Sequence, residues 1–239
     1  ALVDSVKPVF GKEHYKEAFS WVQKEFAKYG VTTIMDPLLD PEEEAIDAIK
    51  ELNDEGKLIC KMRGAFKSSE AEPYKHIDDF ARIREEVDSH MFKIEQVKMF
   101  ADGVVEGKTA YLKEPYEGED YTGDPIWEPG AMTEFCKKVD ALDFDIHVHS
   151  IGDAATAMTL DALDAMKAAD PDRDRRPVIT HLQVVDPEDY PRLVEHKVAA
   201  VTNPYWHFKY RGFFDDIELP YLGDRAYREY PMKSMLDAG

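Results

Sequence analysis

The chain has 239 residues, of which 44% are hydrophobic, and its net charge is −19, with 49 acidic and 30 basic residues. This length and composition allow one domain of barrel size over residues 1–239. The acidic residues are spread along the chain, which argues against nucleic acid and membrane partners, because phosphate-binding surfaces need clustered lysine and arginine. No apolar run approaches the ~20 residues of a membrane span, and no signal peptide is recognisable. Cys60 and Cys136 lie far apart in apolar segments, so we expect reduced thiols and a cytoplasmic location.

Helix and strand patterns alternate through the first part of the chain. Apolar residues at three- and four-residue spacing predict a helix over 11–29, ended by Gly30. The β-branched run that follows predicts a strand over 31–35, stopping at Asp36 and Pro37. The same criteria predict, in chain order, a helix over 41–55, a strand over 58–65, a helix over 77–89 and a strand over 95–101.

A stretch without periodicity follows, over 104–129, and it is rich in glycine, proline, tyrosine and acidic residues. Loops of this length inside a compact domain are usually functional, so we expect a lid or a substrate wall here. Further elements follow it: a helix over 131–142, a strand near Asp145, a helix over 154–168 capped by Asp153, a strand over 177–182, a short helix over 187–195, a strand over 198–203, an aromatic loop over 204–216 and a helix over 224–238.

Six strands that alternate with helices predict a parallel sheet with right-handed crossovers. An open doubly wound sheet usually has a glycine-rich phosphate loop in its first strand-to-helix turn, and this sequence has none. Its absence favours an α/β barrel of parallel strands over a doubly wound sheet. In such a barrel the functional residues lie at the carboxyl ends of the strands.

Several residues that could bind a metal fall at these predicted strand ends. Alternation places His147 and His149 on one face of their strand, and Lys98, His181 and Asn203 end or lie near the end of others. A single histidine is more often a hydrogen-bonded core residue, and a single lysine more often a salt-bridged one. Because these residues occur on separate strands, we favour metal binding over these structural roles.

Lys98 lies in an apolar strand, where burial lowers the pKa of its amine. A neutral lysine amine can react with carbon dioxide to give a carbamate that bridges two divalent metals. His149 and His181 would be natural companions, since zinc accepts imidazole and oxygen ligands. We therefore expect one or two divalent ions, zinc fitting best, and an activated water as the nucleophile.

The aromatic loop allows two interpretations. Tyr205 and Trp206 follow a strand end, which favours a wall that binds a small-molecule substrate with some apolar surface. The alternative is a hydrophobic loop that only packs against the core.

Three blocks of sequence, VKMFADGVVEGKTAYLKEPY at 97–116, HVHSIGDAATAMTLDAL at 147–163 and ITHLQVVDPEDYPRL at 179–193, resemble the family 3 amidohydrolases, as does GVTTIMD at 30–36. These are metal-dependent hydrolases with a (β/α)8 barrel, and the resemblance covers nearly the whole chain. It implies an α/β fold of the (β/α)8 TIM-barrel type, here incomplete at about six strands. It implies hydrolysis of non-peptide carbon–nitrogen bonds.

Carried over by residue, the resemblance implies that Lys98 is the carboxylated lysine and that His149 and His181 are metal ligands. The resemblance then implies that His147 orients these ligands without binding the metal itself. The family also has an HxH pair on its first strand and an aspartate on its last strand, and neither is found here. We therefore expect the middle of a longer enzyme, inactive alone and able to associate through its open sheet edges.

Two rival functions remain open at this point. One is a noncatalytic binding or regulatory domain that keeps the barrel fold. The other is a barrel phosphoesterase or lyase that uses the same histidines, although basic residues are sparse near the predicted site.

Overall fold

The computed structural model describes residues 8–203, 205–206 and 208–239, so Pro204 and His207 of the predicted aromatic loop lie outside the described residues. Six strands form one sheet in the order in which they occur in the chain. They are β1 (Thr33–Leu39), β2 (Lys61–Lys67), β3 (Phe92–Phe100), β4 (Asp145–Ser150), β5 (Val178–His181) and β6 (Ala199–Val201).

Eight α-helices are found among the described residues: α1 (Lys12–Ala27), α2 (Ala45–Asp54), α3 (Ile77–Val87), α4 (Ala131–Asp140), α5 (Asp153–Ala169), α6 (Tyr190–Glu195), α7 (Leu219–Leu222) and α8 (Met232–Ala238). Helices follow most of the strands, and the paired strands are parallel. The fold is therefore α/β, of the incomplete (β/α)8 barrel type, as the sequence predicts.

The chain divides into two compact units, and β3 passes from one into the other. The first unit comprises the described residues of 1–68 together with 74–96. Here β1 pairs with β2, with Thr33 opposite Lys61, and the register shifts between Asp36 and Leu39. The prediction that this strand stops at Asp36 and Pro37 is wrong. Proline is tolerated because β1 is an edge strand and its register is irregular at this point.

The second unit comprises residues 69–73 and 97–239. In it β4 pairs in parallel with β5, and β5 with β6. The register places His149 opposite Thr180 and Ser150 opposite His181. The carboxyl ends of β4 and β5 therefore lie side by side, with a histidine at or next to each.

The long segment over 104–129 contributes apolar side chains to the core of this unit, although more than half of its residues are exposed. Val105, Leu112, Tyr116 and Trp127 are all buried, and the first three pack in one cluster with Phe214 and other apolar residues. Tyr116 and Trp127 are therefore core residues, whereas Val104 and Glu106 line a cleft, and the expected lid or substrate wall stays a prediction. The sequence shows no periodicity because this core forms without regular secondary structure.

Two helix predictions need correction. Helix α5 begins at Asp153, with Gly152 as the preceding residue, and no side-chain cap is formed. The Asp153 carboxylate instead accepts hydrogen bonds from the backbone N–H groups of Lys113, at 2.8 Å, and Ala154, at 3.0 Å. The predicted helix over 224–238 is only its last part, because a 3-10 segment ends at Arg228 and α8 begins after Pro231.

Cys60 and Cys136 are buried free thiols, in agreement with the sequence. Among the described residues, no helix is both long enough and apolar enough to cross a bilayer. The assignment of 1–239 to a single domain stays a prediction.

Candidate metal centre

Lys98 lies inside the second unit, on β3, with only 5% of its surface exposed. Its amine donates to the Met99 carbonyl oxygen at 3.2 Å and lies 4.2 Å from the centroid of the Phe100 ring. Burial lowers the pKa of this amine to about 7, against the opposing effect of the Glu70 carboxylate. A substantial fraction of Lys98 is therefore neutral near pH ~7, which is the form that reacts with carbon dioxide.

His149 and His181 meet at the carboxyl ends of β4 and β5. Their ring centroids are 4.5 Å apart and the ring planes are inclined by 71°. His149 Nε2 lies 2.8 Å from the Gly103 carbonyl oxygen, and His181 Nδ1 lies 2.7 Å from Asn203 Oδ1. The structure thus brings together two of the residues that the sequence places at separate strand ends.

These hydrogen bonds select the tautomers of the two rings. A carbonyl oxygen can only accept, so His149 Nε2 carries the hydrogen and Nδ1 carries the lone pair. His181 Nδ1 donates to Asn203 Oδ1, which leaves the lone pair on Nε2. Metal-binding histidines commonly use one nitrogen for the metal and donate the other N–H to a carbonyl or carboxylate in this way.

Burial keeps the histidines of this region uncharged. It lowers the pKa of His147 to about 3 and that of His149 to about 4, and it lowers the pKa of His181. The nearby positive charge of Lys98 contributes to each shift. Neutral imidazoles are the form that binds divalent metals.

His147 occupies a different position from the other two histidines. Its Nε2 is 2.6 Å from Thr180 Oγ1, on the neighbouring strand β5. Thr180 is paired with His149 in the register of β4 and β5. His147 therefore contacts the residue that lies beside His149. This contact suits the supporting role that the sequence predicts for His147.

A divalent metal fits the donor set in part. Two neutral imidazoles with lone-pair nitrogens, together with the Lys98 amine, are suitable zinc donors once that amine carries a carboxylate. Among the described residues, no group of three histidine, cysteine, aspartate or glutamate side chains is arranged to hold a metal ion. Metal binding by Lys98, His149 and His181 therefore stays a prediction.

The backbone at the end of β5 is strained. His181 has φ = 83° and Leu182 has φ = 51°, both in the left-handed region that non-glycine residues seldom adopt. Such strain is costly and is found where function fixes a side chain.

Asp102 organises the loops beside the two histidines, and the sequence pattern missed this role. Its carboxylate accepts hydrogen bonds from the backbone N–H groups of Tyr111, Ile151 and Gly152, at 2.8–2.9 Å. Its Oδ1 is 3.8 Å from His149 Nε2. Burial raises the pKa of Asp102 to about 7, against the lowering effect of these hydrogen bonds. In the sequence, Asp102 has only the features of a turn residue that precedes a glycine.

The aromatic loop lies beside this site. The Trp206 ring stacks on His181, with centroids 4.9 Å apart and planes within 5°. Tyr205 and Trp206 also line a cleft of about 290 Å³, together with Gln183 and Tyr230. Tyr205 is 93% exposed and so does not pack against the core, and the substrate wall stays a prediction.

A group of buried polar residues, which no sequence pattern predicts, adjoins the cleft at Gln183. Gln183 Nε2 donates to Glu229 Oε1 at 2.6 Å and to Glu218 Oε1 at 3.3 Å, and all three residues are buried. They come from distant parts of the chain, so no local pattern relates them.

Comparison with known proteins gives a consistent result. A model of the amidohydrolase family matches residues 2–239. The exoenzymes regulatory protein AepA of Pectobacterium carotovorum is 28% identical over 201 residues, which is 83% of this chain and 42% of that protein. The putative amidohydrolase YtcJ of Bacillus subtilis is 31% identical over 111 residues, or 46% of this chain and 20% of that one.

Solved structures share the fold. An uncharacterised metal-dependent hydrolase from Pyrococcus furiosus has a TM-score of 0.79 at 22% identity, over 99% of this chain and 47% of that one. A mutant of atrazine chlorohydrolase from Arthrobacter aurescens, complexed with zinc and atraton, has a TM-score of 0.56 at 17% identity, over 96% of this chain and 48% of that one. This chain spans less than half the length of these relatives.

Proposed function

Because the chain belongs to the amidohydrolase family, we propose that the protein it represents is a metal-dependent hydrolase of non-peptide carbon–nitrogen bonds. The observation that carries this proposal is the pairing of His149 with His181. Their rings are 4.5 Å apart, uncharged, and each donates its remaining N–H to a fixed oxygen. Such an arrangement is typical of a metal site and unusual for two structural histidines.

The residues of this chain would hold the metal and position it. His149 Nδ1 and His181 Nε2 would be its imidazole ligands, and Lys98, once carboxylated, would add an oxygen ligand. A divalent ion held there supplies Lewis-acid chemistry, polarising the bond under attack and lowering the pKa of water toward ~7. Asp102 keeps the loops around His149 in place through its backbone hydrogen bonds.

We further propose that the 239-residue chain does not turn over substrate alone. Among the described residues no three histidine, cysteine, aspartate or glutamate side chains are arranged to hold a metal ion, and β1 has no HxH pair of the kind that the family resemblance implies. We expect the chain to bind zinc weakly, with His149, His181 and the carboxylated Lys98 as its ligands.

Zinc titration with isotope-labelled bicarbonate tests both parts. We expect one carbamate signal on Lys98, lost in Lys98→Arg, and zinc binding that is abolished by His149→Ala and by His181→Ala. His90→Ala is the matched control, because this exposed histidine lies in the other unit and should change nothing. Equal zinc binding by the parent, His149→Ala and His181→Ala contradicts the proposed site, and turnover of acyl anilides by the zinc-loaded chain contradicts the proposed inactivity.

A second function is favoured by one observation. The relative that covers most of this chain in sequence is named a regulatory protein, AepA. A noncatalytic regulatory domain with the same fold would keep the stacked rings and the cleft but would not need the metal. Failure of the longer protein to bind zinc would favour this alternative over the hydrolase.

A further inference from the structure

The cleft beside His181 is lined by aromatic rings. Its volume is about 290 Å³, and the rings are those of Tyr205, Trp206, Phe208, Tyr210, Phe213 and Tyr230. Several of them are strongly exposed: 72% of Phe208, 54% of Tyr210 and 50% of Trp206. Adjacent exposed aromatic side chains of this kind mark a binding surface, because leaving them in water has no structural benefit.

The polar groups around the cleft are acidic or neutral. Glu106 and Gln183 line it, and no described lining residue is a lysine, arginine or histidine. Directly behind Gln183 lie the buried carboxyl groups of Glu218 and Glu229. The Glu106 carboxylate would repel an anionic ligand, whereas a cation would meet that carboxylate and the aromatic rings that line the cleft.

The chain itself holds an ammonium group in an environment of the same kind. Lys209 Nζ lies 4.5 Å from the centroid of the Phe214 ring and 5.0 Å from that of Tyr227. Its positive charge acts on both Glu218 and Glu229, although burial is the larger effect and raises the pKa values of both carboxyl groups. A cation held by two rings beside these carboxyl groups is therefore stable in this part of the fold.

We propose that the aromatic cleft binds an organic cation, the quaternary or methylated ammonium end of a small molecule. Ammonium groups with alkyl substituents are weakly hydrated, so ring faces can replace their water at little cost, and this is the recognised use of aromatic cages. The proposal deepens the proposed function by naming the substrate class. The ammonium end would occupy the cleft while Trp206, which stacks on His181, joins the cleft to the candidate metal centre.

Choline and its neutral isostere, in which carbon replaces the quaternary nitrogen, give a direct test. The two probes have the same shape, so a difference in affinity reports the charge alone. We expect choline to bind about tenfold more tightly than the isostere, by calorimetry and by tryptophan fluorescence, in protein free of metal. Equal affinities, or no choline binding, would overturn the proposal.

Two variants locate the binding. Glu106→Gln should weaken choline binding several-fold and leave the isostere unchanged, and Trp206→Leu should weaken both. Glu128→Gln is the matched control, because that exposed glutamate does not line the cleft. Choline binding that survives both cleft substitutions would also overturn the proposal. Because metal takes no part in this assay, its failure leaves the zinc titration of the proposed hydrolase unaffected.

Discussion

The indole ring of Trp206 lies parallel to the imidazole of His181, with centroids 4.9 Å apart and planes within 5°. On the other side, His181 makes an edge contact with His149. His181 is therefore held by a hydrogen bond to Asn203, by the Trp206 ring and by a strained backbone at φ = 83°. Each of these contacts restricts the direction in which its Nε2 lone pair points.

Replacement of this stacked ring should weaken zinc binding. In Trp206→Leu, His181 keeps its hydrogen bond but loses the surface that holds the ring plane, so we expect zinc affinity to fall about tenfold. Tyr205→Leu is the control, because the neighbouring Tyr205 ring is 93% exposed. Competition titrations with a chromophoric chelator measure both variants. Equal affinities for parent and Trp206→Leu would show that the stack does not orient His181.

A buried ion pair supports the second unit away from the cleft. Arg175 forms two hydrogen bonds of 2.7 Å with the carboxylate of Asp140, through Nε and Nη2. Both side chains are under 10% exposed. Removal of one partner leaves a buried, unpaired charge, so Asp140→Ala should lower the free energy of unfolding by about 3–5 kcal/mol.

Asp237→Ala is the comparison for that substitution. Asp237 pairs with Lys233 at 2.6 Å, but the two side chains are 61% and 83% exposed, and exposed pairs contribute less than ~1 kcal/mol. Urea denaturation of both variants measures the difference. Similar losses would mean that burial does not set the contribution of these pairs.

The sequence is sufficient to predict the strand order and the strand-end positions of Lys98, His149 and His181, because these features depend on local patterns. Alternating periodicities mark the elements, and parallel strands bring their carboxyl ends to one edge. The extension of β1 through Pro37 was not accessible, because proline is tolerated only through the edge position of that strand. The residue propensities of Asp36 and Pro37 alone predict that the strand ends there.

Contacts between distant segments were also beyond the sequence. Asp102 reads locally as a turn residue, yet it accepts the backbone N–H groups of Ile151 and Gly152, about fifty residues away. Gln183 and Glu229 are likewise joined only by the folded chain. A single sequence holds no signal that relates such residues, so the surroundings of the strand-end residues appear only in three dimensions.

Gly152 is required by the close approach of another loop. A Cβ atom at this position would lie 1.9 Å from the Tyr111 carbonyl oxygen. The backbone cannot easily shift, because Gly152 N–H is bound to Asp102 and the Tyr111 oxygen accepts from Ala155 N–H. We expect Gly152→Ala to lower the free energy of unfolding by about 3 kcal/mol.

Gly118→Ala provides the matched measurement in thermal and urea denaturation. Gly118 has φ = 75° but no atom near the position of an added Cβ, so only backbone strain of about 1 kcal/mol is expected. If the two alanine variants were equally stable, the approach of Tyr111 would not be the constraint.

The buried carboxyl groups behind the cleft should make stability depend on pH. Burial, followed by the negative charge of Glu218, raises the pKa of Glu229 to about 8, and burial also raises the pKa of Glu218. An unfolded glutamate titrates near ~4.3, so the folded chain holds protons that the unfolded chain has lost. The contribution of these two glutamates to the free energy of unfolding is therefore fully present below pH ~4.3. It is lost as the pH rises toward about 8.

Glu229→Gln removes one of these titrations and keeps the shape of the side chain. Each group contributes at most about 1.4 kcal/mol per pH unit to the slope, so the variant should lose stability more slowly than the parent between about pH 5 and pH 8. At alkaline pH the variant should be the more stable protein, since it has no charge to bury beside Glu218. Glu85→Gln, at an exposed position in the other unit, should follow the parent curve. Urea denaturation across this range measures all three proteins, and parallel curves for parent and Glu229→Gln would show that Glu229 is ionised in the folded chain throughout.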